Sequence, residues 1–369
     1  MDLTLTEDQR MIQSTARELL GSRAGAAGVR AVRDSATGYS ARLWAEMIEL
    51  GWNGLAIAED HGGIGVGWLE VCLLIEEMGA AQVPSPFLST VGCAAPAIAR
   101  FGTDAQRGRW LASISSGRVV SYVRAAPDGA RSGDRSDVTA RPSGDGFVLD
   151  GTASLAPYAD GADDLLVVAS TGAGALTTFL VDAAEPGISV SRLDEVGPER
   201  RYRLSFSGVT VSADSVLGPV DGGRRVLGTI EAFGAAATCA EMVGGAQRVL
   251  DLTVEYAGRR EQFGRPIGSF QTVRRHCADM ASDVLDSRLI AYQAIWRLAS
   301  DLDATAEVSL ARSWVADAYQ RVCARGKQVH GAAEHDLHLY SAHATSAPLT
   351  FGDLDQAADG AGPAIGLSA

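Results

Sequence analysis

Hydrophobic positions recur at helical spacing over the first part of the chain. Ile12 and Ala16 begin one apolar stripe. Thr6 and Gln9, just before it, have the spacing of a capping box, in which each side chain bonds the other residue's backbone N–H at a helix start. The same period predicts further helices over residues 44–50, 68–78 and 103–111. Residues 1–118 are therefore predicted to form an all-helical domain.

The middle of the chain has a different pattern, in which short apolar and β-branched runs end at Gly, Pro or Asp. Four such runs predict strands, over residues 146–151, 164–170, 176–181 and 203–211. Long helical periods then return, over residues 226–258, 270–302 and 306–329. Because strands and helices are segregated and do not alternate as βαβ units, the pattern predicts an α+β fold rather than a doubly wound sheet. The predicted boundaries are 119–222 for a β domain and 223–369 for a C-terminal helical domain.

Charge and targeting signals narrow the classes of function. With 32 basic and 45 acidic residues, the chain has a net charge of −13. The charge is spread without long acidic runs, which argues against a nucleic-acid partner and suits a cytoplasmic protein. The N-terminus lacks the basic segment and apolar core of a secretory signal. No uninterrupted apolar run reaches the roughly 18 residues that cross a membrane, so no membrane association is expected.

Cysteine and histidine spacing predicts neither disulfides nor a metal site. The five cysteines lie far apart in apolar surroundings, which is typical of reduced, buried thiols. Four histidines lie close together late in the chain, at His330, His335, His338 and His343. Their spacing fits one face of a helix, whereas a metal site needs convergent ligands, so no metal is expected.

The most specific motif runs from Arg260 to Gln271 and continues to Met280. It contains Arg-x-x-Phe-Gly and a Gln at fixed spacing, followed by Ala-Asp-Met, and it resembles the flavin-contacting signature of the acyl-CoA dehydrogenase family. Other matching segments are spread along the chain: His61-Gly62-Gly63, Glu76-Glu77-Met78-Gly79, Gly244-Gly245-Ala246-Gln247 and Gln328-Val329-His330-Gly331. The resemblance implies a helical N-terminal domain, a middle β-barrel-like domain, a C-terminal four-helix bundle and FAD as the cofactor.

In that family one subunit holds the flavin ring, and its neighbour contacts the pyrophosphate and adenosine of the same FAD. The resemblance assigns the neighbour's role to six residues: Arg260, Gln262, Phe263, Gln271, Gln328 and Gly331. A guanidinium holds two phosphate oxygens and stays charged, while glutamine amides supply neutral hydrogen bonds. Gly264 is expected to end the preceding helix. The simpler interpretation of Arg259 and Arg260 is a solvated helix end, where cations are favourable.

The carboxylate that should remove the α-proton of the thioester is missing from both places where the family carries it. One place precedes a glycine late in the chain, and Phe351 stands there, before Gly352. The other lies on the helix before Gly244, and Gly234 stands there. Neither residue accepts a proton. The resemblance therefore implies that the chain has no catalytic residue at the usual positions.

Weak substitutes for the base are Glu231 and Glu241, three residues before Gly234 and seven residues after it, near the same helix face. Glu241 is more simply a paired structural carboxylate. Asp353 is near the late position, but its side chain is shorter than Glu and it lies two residues too late.

Three further segments depart from the family pattern. The Thr-Glu-Pro loop beside the flavin ring corresponds to Ala125-Ala126-Pro127, at the start of the segment that ends at Ser132. The Trp-Ile-Thr run that packs on the ring corresponds to Leu155-Ala156-Pro157. The glycine-rich segment after Gln328 is shortened to Ala332-Ala333.

A chain that keeps the residues for a neighbour's FAD and lacks those for its own flavin ring fits one subunit of a heteromer. Some actinobacterial acyl-CoA dehydrogenases of the steroid side-chain type are α2β2 heterotetramers, and this chain resembles their non-catalytic subunit. The hypothesis is a complex with two FAD that converts a bulky, steroid-like acyl-CoA to its trans-2-enoyl-CoA. The resemblance implies an electron-transfer flavoprotein as the acceptor.

Two alternatives remain open. In the first, the chain is a self-sufficient homotetramer that oxidises an acyl-CoA or an acyl carrier protein thioester, with Glu241 or Glu231 as the base. In the second, it is a flavin-free scaffold or regulator that has kept only the fold. The intact run from Arg260 to Gln271 argues against the second alternative.

Overall fold

The structure is a computed structural model and describes residues 4–23, 26–123, 136–194, 196–197, 199–331 and 337–352. Its first part is helical, as the apolar stripes predict. These helices are α1 (Glu7–Arg23), α2 (Ala26–Arg33), α3 (Ala41–Glu49), α4 (Trp68–Ala81), α5 (Ala95–Phe101), α6 (Asp104–Gln106) and α7 (Ala112–Ser115). The capping box that starts α1 is confirmed. The Gln9 N–H donates to Thr6 Oγ1 at 3.2 Å, and the Thr6 N–H donates to Gln9 Oε1 at 3.0 Å.

The middle part is one mixed β-sheet. Its strands are β1 (Val120–Val123), β2 (Val138–Ser143), β3 (Gly146–Pro157), β4 (Asp164–Gly172), β5 (Ala175–Asp182), β6 (Ile188–Arg192), β7 (Arg201–Ser212) and β8 (Val216–Leu217). The order along the sheet is β6-β7-β3-β2-β4-β5-β8, and β1 pairs in parallel with β4. The long strands β3 and β7 are antiparallel, with Leu149 opposite Val209. Both side chains are fully buried, and they belong to a separate core in this part of the chain.

Helices return after the sheet. They are α8 (Gly223–Arg259), α9 (Gln271–Ala299), α10 (Thr305–His330) and α11 (Leu337–Ser346). A short hairpin of β9 (Glu261–Gln262) and β10 (Arg265–Pro266) lies between α8 and α9. The predicted fold class, with helical, β and helical parts in succession, is confirmed. One detail of the sequence prediction is wrong, because α8 ends at Arg259 and Gly264 lies in the turn of the hairpin.

Two glycines let α4 and α8 approach closely, and they explain two of the motifs noted in the sequence. A Cβ atom built on Gly244 would lie 1.8 Å from the Glu76 carbonyl oxygen, and one built on Gly79 would lie 2.0 Å from the Glu241 carbonyl oxygen. Any side chain at either position would push the helices apart, because protein interiors are close-packed. The Glu76 side chain is buried and accepts a hydrogen bond from Arg288 of α9 at 2.7 Å. The motif Glu76 to Gly79 therefore joins three helices.

The long helix α8 forms the centre of the main hydrophobic core. By length and composition it also meets the criteria for a membrane span, with an 18-residue window of mean hydropathy 1.3. Within the structure, 72% of that window is buried. Packing against α4, α9 and α10 therefore accounts for its apolar character.

Candidate functional site

A tight hairpin turn at the end of α8 presents an aromatic side chain to solvent. Gln262 pairs with Arg265, and the two residues between them, Phe263 and Gly264, have φ angles of 54° and 78°. Positive φ at both central positions is typical of two-residue hairpin turns and suits glycine, but phenylalanine rarely adopts it. Phe263 is also 91% exposed. A large apolar side chain held in a disfavoured backbone conformation, in contact with water, indicates a binding role.

The hairpin is fixed at its base and under its tip. The Arg260 N–H donates to the Tyr256 carbonyl at 2.8 Å, so the chain leaves α8 in a defined direction. The Phe270 ring lies edge-on to the Phe263 ring, with 6.1 Å between the centroids. The guanidinium of Arg265 lies 4.3 Å from the Phe270 ring centroid, a favourable cation–π distance.

An aromatic stack joins the hairpin to the end of α10. The Tyr256 ring, in the last turn of α8, lies 4.4 Å from the His330 ring with only 15° between the planes. Gln328 and Gly331 flank His330 and are exposed. Gly331 has φ 65° and ψ −135°, a conformation that is readily open only to glycine. The fold thus brings two predicted cofactor segments, distant in sequence, close to each other.

The six predicted cofactor residues are all exposed: Arg260, Gln262, Phe263, Gln271, Gln328 and Gly331. We call this set the hairpin surface. Cβ atoms built on Gly264 and Gly331 would meet nothing within 4 Å, so the backbone there is accessible to a ligand.

The charges at the hairpin surface suit an anion. Arg259 is paired with Glu255 at 2.6 Å. Within the described part of the chain, the Arg260 guanidinium bonds to no other side chain. A free guanidinium, three amide side chains and an aromatic face are the groups that bind a phosphate and a nucleoside. The hairpin surface therefore fits the pyrophosphate and adenosine end of FAD.

The two positions at which the resemblance expects a base meet each other in the interior. A Cβ atom built on Gly234 of α8 would stand 2.1 Å from Phe351 Cζ and 2.4 Å from its Cε1. The Phe351 ring therefore rests on the bare backbone of α8. Phe351 is only 4% exposed, and its ring centroid lies 5.5 Å from that of Tyr122 on β1. One aromatic ring fills the space between the two expected positions.

Arginines hold the chain on each side of Phe351. Arg201, the first residue of β7, is buried and donates to Thr350 Oγ1 at 2.5 Å. Arg312 of α10 donates to the Gly352 carbonyl oxygen at 3.1 Å. Neither arginine belongs to a sequence motif, and a single buried arginine has no local signature from which its role could be predicted.

The substitute bases are not arranged for proton abstraction beside Phe351. Glu241 Oε2 lies 3.3 Å from His343 Nε2, and His343 Nδ1 lies 3.3 Å from the hydroxyl of Tyr319. Burial raises the pKa of Tyr319 well above its ordinary value, so the phenol is a neutral partner. Glu241 is also about 10 Å along α8 from Gly234, whereas Glu231 is half-buried one turn before it. This geometry favours the interpretation of Glu241 as a paired structural carboxylate.

Other predicted positions contribute less to the site. Leu155-Ala156-Pro157 lies at the end of β3, where the Pro157 carbonyl accepts a hydrogen bond from Ser121 at 2.6 Å. Several predicted positions lie outside the described residues: Ala125 to Ser132, Ala332-Ala333, His335 and Asp353. His338 lies 3.3 Å from Arg30, away from the His343 pair. Among the residues that are described, no group of three His, Cys, Asp or Glu side chains could hold a metal ion.

Family models match both helical parts of the chain. The acyl-CoA dehydrogenase N-terminal domain matches residues 6–118, and the acyl-CoA dehydrogenase C-terminal domain matches residues 221–342. Among curated relatives, the acyl-CoA dehydrogenase FadE27 of Mycobacterium tuberculosis is 35% identical over 315 residues, which cover 82% of each chain.

Two solved structures are similar over nearly the whole chain. The ChsE4-ChsE5 complex from Mycobacterium tuberculosis has 31% identity and a TM-score of 0.90, with all of both chains covered. A variant of the Tcur3481-Tcur3483 steroid acyl-CoA dehydrogenase has 30% identity and a TM-score of 0.87, with 98% of both chains covered.

Proposed function

We propose a role that starts from one established premise: the chain belongs to the acyl-CoA dehydrogenase family. Members of this family are FAD-dependent oxidoreductases that act on CH–CH bonds. The proposed role is that of the non-catalytic subunit of a heteromeric acyl-CoA dehydrogenase. Its hairpin surface contacts the pyrophosphate and adenosine of an FAD whose ring is held by a paralogous catalytic subunit.

The observation that carries this proposal is the contact between Phe351 and Gly234. A base must come within hydrogen-bond reach of the α-carbon of the thioester. Here an apolar ring occupies the space between the two expected base positions, with ring atoms 2.1–2.8 Å from where a Gly234 side chain would begin. Meanwhile the hairpin surface keeps every predicted cofactor residue exposed. The chain is thus equipped to serve a neighbour's cofactor and not to perform the proton transfer itself.

The chain's own contribution to the complex is binding and orientation. Arg260 would hold two phosphate oxygens at once, because a guanidinium matches phosphate geometry. The amides of Gln262, Gln271 and Gln328 would bind the rest of the pyrophosphate and adenosine end of FAD through neutral hydrogen bonds. Phe263 would cover an apolar part of the cofactor and exclude water. When bound, FAD supplies the hydride-accepting chemistry of the reaction.

Assembly with a paralogue follows from symmetry. In a homotetramer all subunits are identical, so the loss of the base would inactivate every site. A paralogue that carries the base removes this difficulty. The similarity to the ChsE4-ChsE5 complex, which contains two differently named subunits, supports an α2β2 assembly with two FAD.

The substrate, acceptor and location are proposed from the same relatives. The similarity to a steroid acyl-CoA dehydrogenase supports a bulky, steroid-like acyl-CoA that is converted to its trans-2-enoyl-CoA. An electron-transfer flavoprotein is the proposed electron acceptor. The proposed location is the cytoplasm, in agreement with the net charge of −13.

The test is the FAD content per chain, measured by absorbance after denaturation. The full chain purified alone is expected to retain little flavin. The chain co-expressed with the acyl-CoA dehydrogenase encoded nearest to it is expected to retain one FAD for each pair of subunits. One FAD per chain in the isolated protein, together with oxidation of an acyl-CoA, would overturn the proposal and support a self-sufficient homotetramer.

A further inference from the structure

We infer that Phe351 closes this chain's own acyl cavity, and that Arg201 and Arg312 are the positioning residues that keep it closed. The inference rests on the proposed function, because that proposal identifies Gly234 and Phe351 with the two base positions. It goes further in one respect. A subunit that merely lacked the base would still bind a thioester, whereas a subunit closed in this way would not.

The space around Phe351 is too small for a substrate. The cavity beside its ring measures about 10 Å³ and is lined by Ala235, Thr238, Cys239, Met242, Arg312, Ala347, Pro348 and Phe351. A volume of this size holds at most one water molecule. Small-molecule sites in proteins usually measure about 300–1,000 Å³.

Gly234 and Phe351 depend on each other. The ring occupies the position of any Cβ at residue 234, so it requires glycine there. The Phe351 ring also packs against Tyr122, and the planes of the two rings differ by 34°. Removal of the ring would therefore leave a void beside α8 that reaches toward Cys239.

The two arginines act on the backbone that carries Phe351. Arg201 bonds the residue before it, through Thr350 Oγ1, and Arg312 bonds the residue after it, through the Gly352 carbonyl. They come from different parts of the fold, β7 and α10. Neither guanidinium needs to touch a substrate for this role. Their effect on the cavity is exerted through the position of Phe351.

Cys239 makes the closure measurable. Its thiol is fully buried and lines the cavity next to Phe351, whereas Cys72, equally buried in the same hydrophobic core, does not line this cavity. Global unfolding exposes both thiols, whereas local opening beside Phe351 is expected to expose Cys239 more than Cys72, because only Cys239 lines the cavity. The readout is the ratio of Cys239 to Cys72 alkylation by iodoacetamide, measured by mass spectrometry on the folded full chain. The half-exposed Cys277 shows that the reagent is active.

In Phe351→Ala the ratio is expected to rise at least about tenfold over that of the unchanged protein, because thiol reactivity follows access. Phe351→Leu, which removes less volume and is safer for folding, is expected to give a smaller rise. If both variants keep the original ratio, Phe351 does not close this space. A high ratio in the unchanged protein would also overturn the inference, because the cavity would already be open.

The positioning role is tested by Arg312→Gln with Arg312→Lys as the matched control. Glutamine is too short to reach the Gly352 carbonyl, so its variant is expected to raise the Cys239 to Cys72 ratio several-fold. Lysine has a longer side chain that can still donate to this carbonyl, and it is expected to restore the original value. Arg312 lowers the pKa of Cys239 through its charge, against the larger effect of burial. Loss of that charge alone would slow alkylation, so an increase reports opening. Equal ratios in both variants would remove Arg312 from this role.

Arg201→Gln and Arg201→Lys form a second matched pair, with the hydrogen bond to Thr350 as the variable. Arg201→Gln is expected to raise the Cys239 to Cys72 alkylation ratio, as Arg312→Gln does. If its ratio equals that of the unchanged protein, Arg201 does not position Phe351. None of these measurements needs FAD or a partner subunit. Unchanged alkylation ratios would leave the FAD assignment intact. A flavin content that contradicts the proposed function would not by itself change the alkylation ratios, so the two failures can be distinguished.

Discussion

Two of the four phenylalanines that precede a glycine, Phe263 and Phe351, lie in opposite environments in this protein. Phe263, in the hairpin between α8 and α9, is 91% exposed and has φ 54°. Phe351, after α11, is 4% exposed and packs on the backbone of Gly234. Packing explains the position of Phe351, because a buried aromatic ring stabilises the fold. Packing does not explain the position of Phe263, because its backbone conformation costs of order 1–3 kcal/mol and most of its ring is exposed to solvent.

The comparison distinguishes a residue that stabilises this chain, Phe351, from a residue that a partner would contact, Phe263. In the interior, an apolar ring lies where the resemblance expects a carboxylate, and its packing on the backbone of Gly234 accounts for it. At the hairpin surface, exposed side chains are kept in positions that give the single chain no evident benefit. A partner that covers them, together with its cofactor, would supply the compensating free energy. This is the physical reason for placing the binding role at the hairpin surface and for placing no chemistry at Phe351.

The largest expected effect comes from truncating each phenylalanine in turn. Phe351→Ala should lower the free energy of unfolding by about 3–5 kcal/mol, because it leaves a cavity in a packed core. Phe263→Ala should change it by no more than about 0.5 kcal/mol, because the side chain is in solvent. Urea unfolding of the full chain measures both. Similar losses in the two variants would mean that Phe263 is packed and would remove the contrast on which the comparison depends.

The next effect concerns the cofactor. Arg260→Gln should weaken FAD binding by the complex about tenfold to a hundredfold, since a charge-assisted bond to phosphate is lost. Arg259→Gln is the matched control, because Arg259 is already paired with Glu255, and its effect should be less than about threefold. Fluorescence titration of the apo complex with FAD measures both constants. Equal losses for the neighbouring arginines would indicate a general charge effect and no specific phosphate contact.

Much of the fold could be predicted from local pattern, and the parts that could not were short or depended on distant contacts. The helical periods predicted α8, α9 and α10 closely because each covers many turns. The strands β1, β2, β6 and β8 were not predicted; β2 and β6 are largely exposed and so have little apolar pattern, and β8 has only two residues. The sequence predicts a helix end where the structure has a hairpin turn, because the central residues of the turn are Phe and Gly. Tight turns of this type usually have Asn or Asp at the first of these positions.

The candidate site also has one part that follows from local sequence motifs and another that depends on contacts between distant residues. The residues of the hairpin surface were assigned from the sequence because they belong to two short motifs, one from Arg260 to Gln271 and one from Gln328 to Gly331. The contact between Gly234 and Phe351 was not predicted, because no local pattern states that a ring from one end of the C-terminal part lies on a helix from the other. The bond between Arg201 and Thr350, 149 residues apart in sequence, is a tertiary contact of the same kind.

A smaller effect should appear in alkaline solution and sharpen the contrast between interior and surface. Burial raises the pKa of Cys239 from 9.0 to about 12. Below pH 9 the thiol is neutral in both the folded and the unfolded states, so it has no effect on stability. Between pH 9 and about 12 the unfolded thiol ionises while the folded one does not. Stability should therefore fall by about 1.4 kcal/mol per pH unit from this group alone.

Cys239→Ser should reduce that slope, because serine does not ionise in this range. Cys277→Ala is the matched control, since Cys277 is only half-buried, and it should change the slope less. Urea unfolding at a series of pH values from 8 upward measures the slope for each variant. If Cys239→Ser leaves the slope unchanged, the thiol beside Phe351 is in contact with water, and the interior there is not closed.

The smallest expected effect is the one that decides between a subunit and a complete enzyme. Glu241 Oε2 lies 3.3 Å from His343 Nε2, so Glu241→Gln, which loses this contact, should cost at most about 1 kcal/mol of stability. It should leave the turnover of the complex within about twofold, as should Glu231→Gln, because neither carboxylate is proposed to touch a substrate. A general base contributes about 10²–10⁴-fold to the rate. A loss of that size in either variant would mean that the interior of this chain performs chemistry after all, and Phe351 would then have to move aside during turnover.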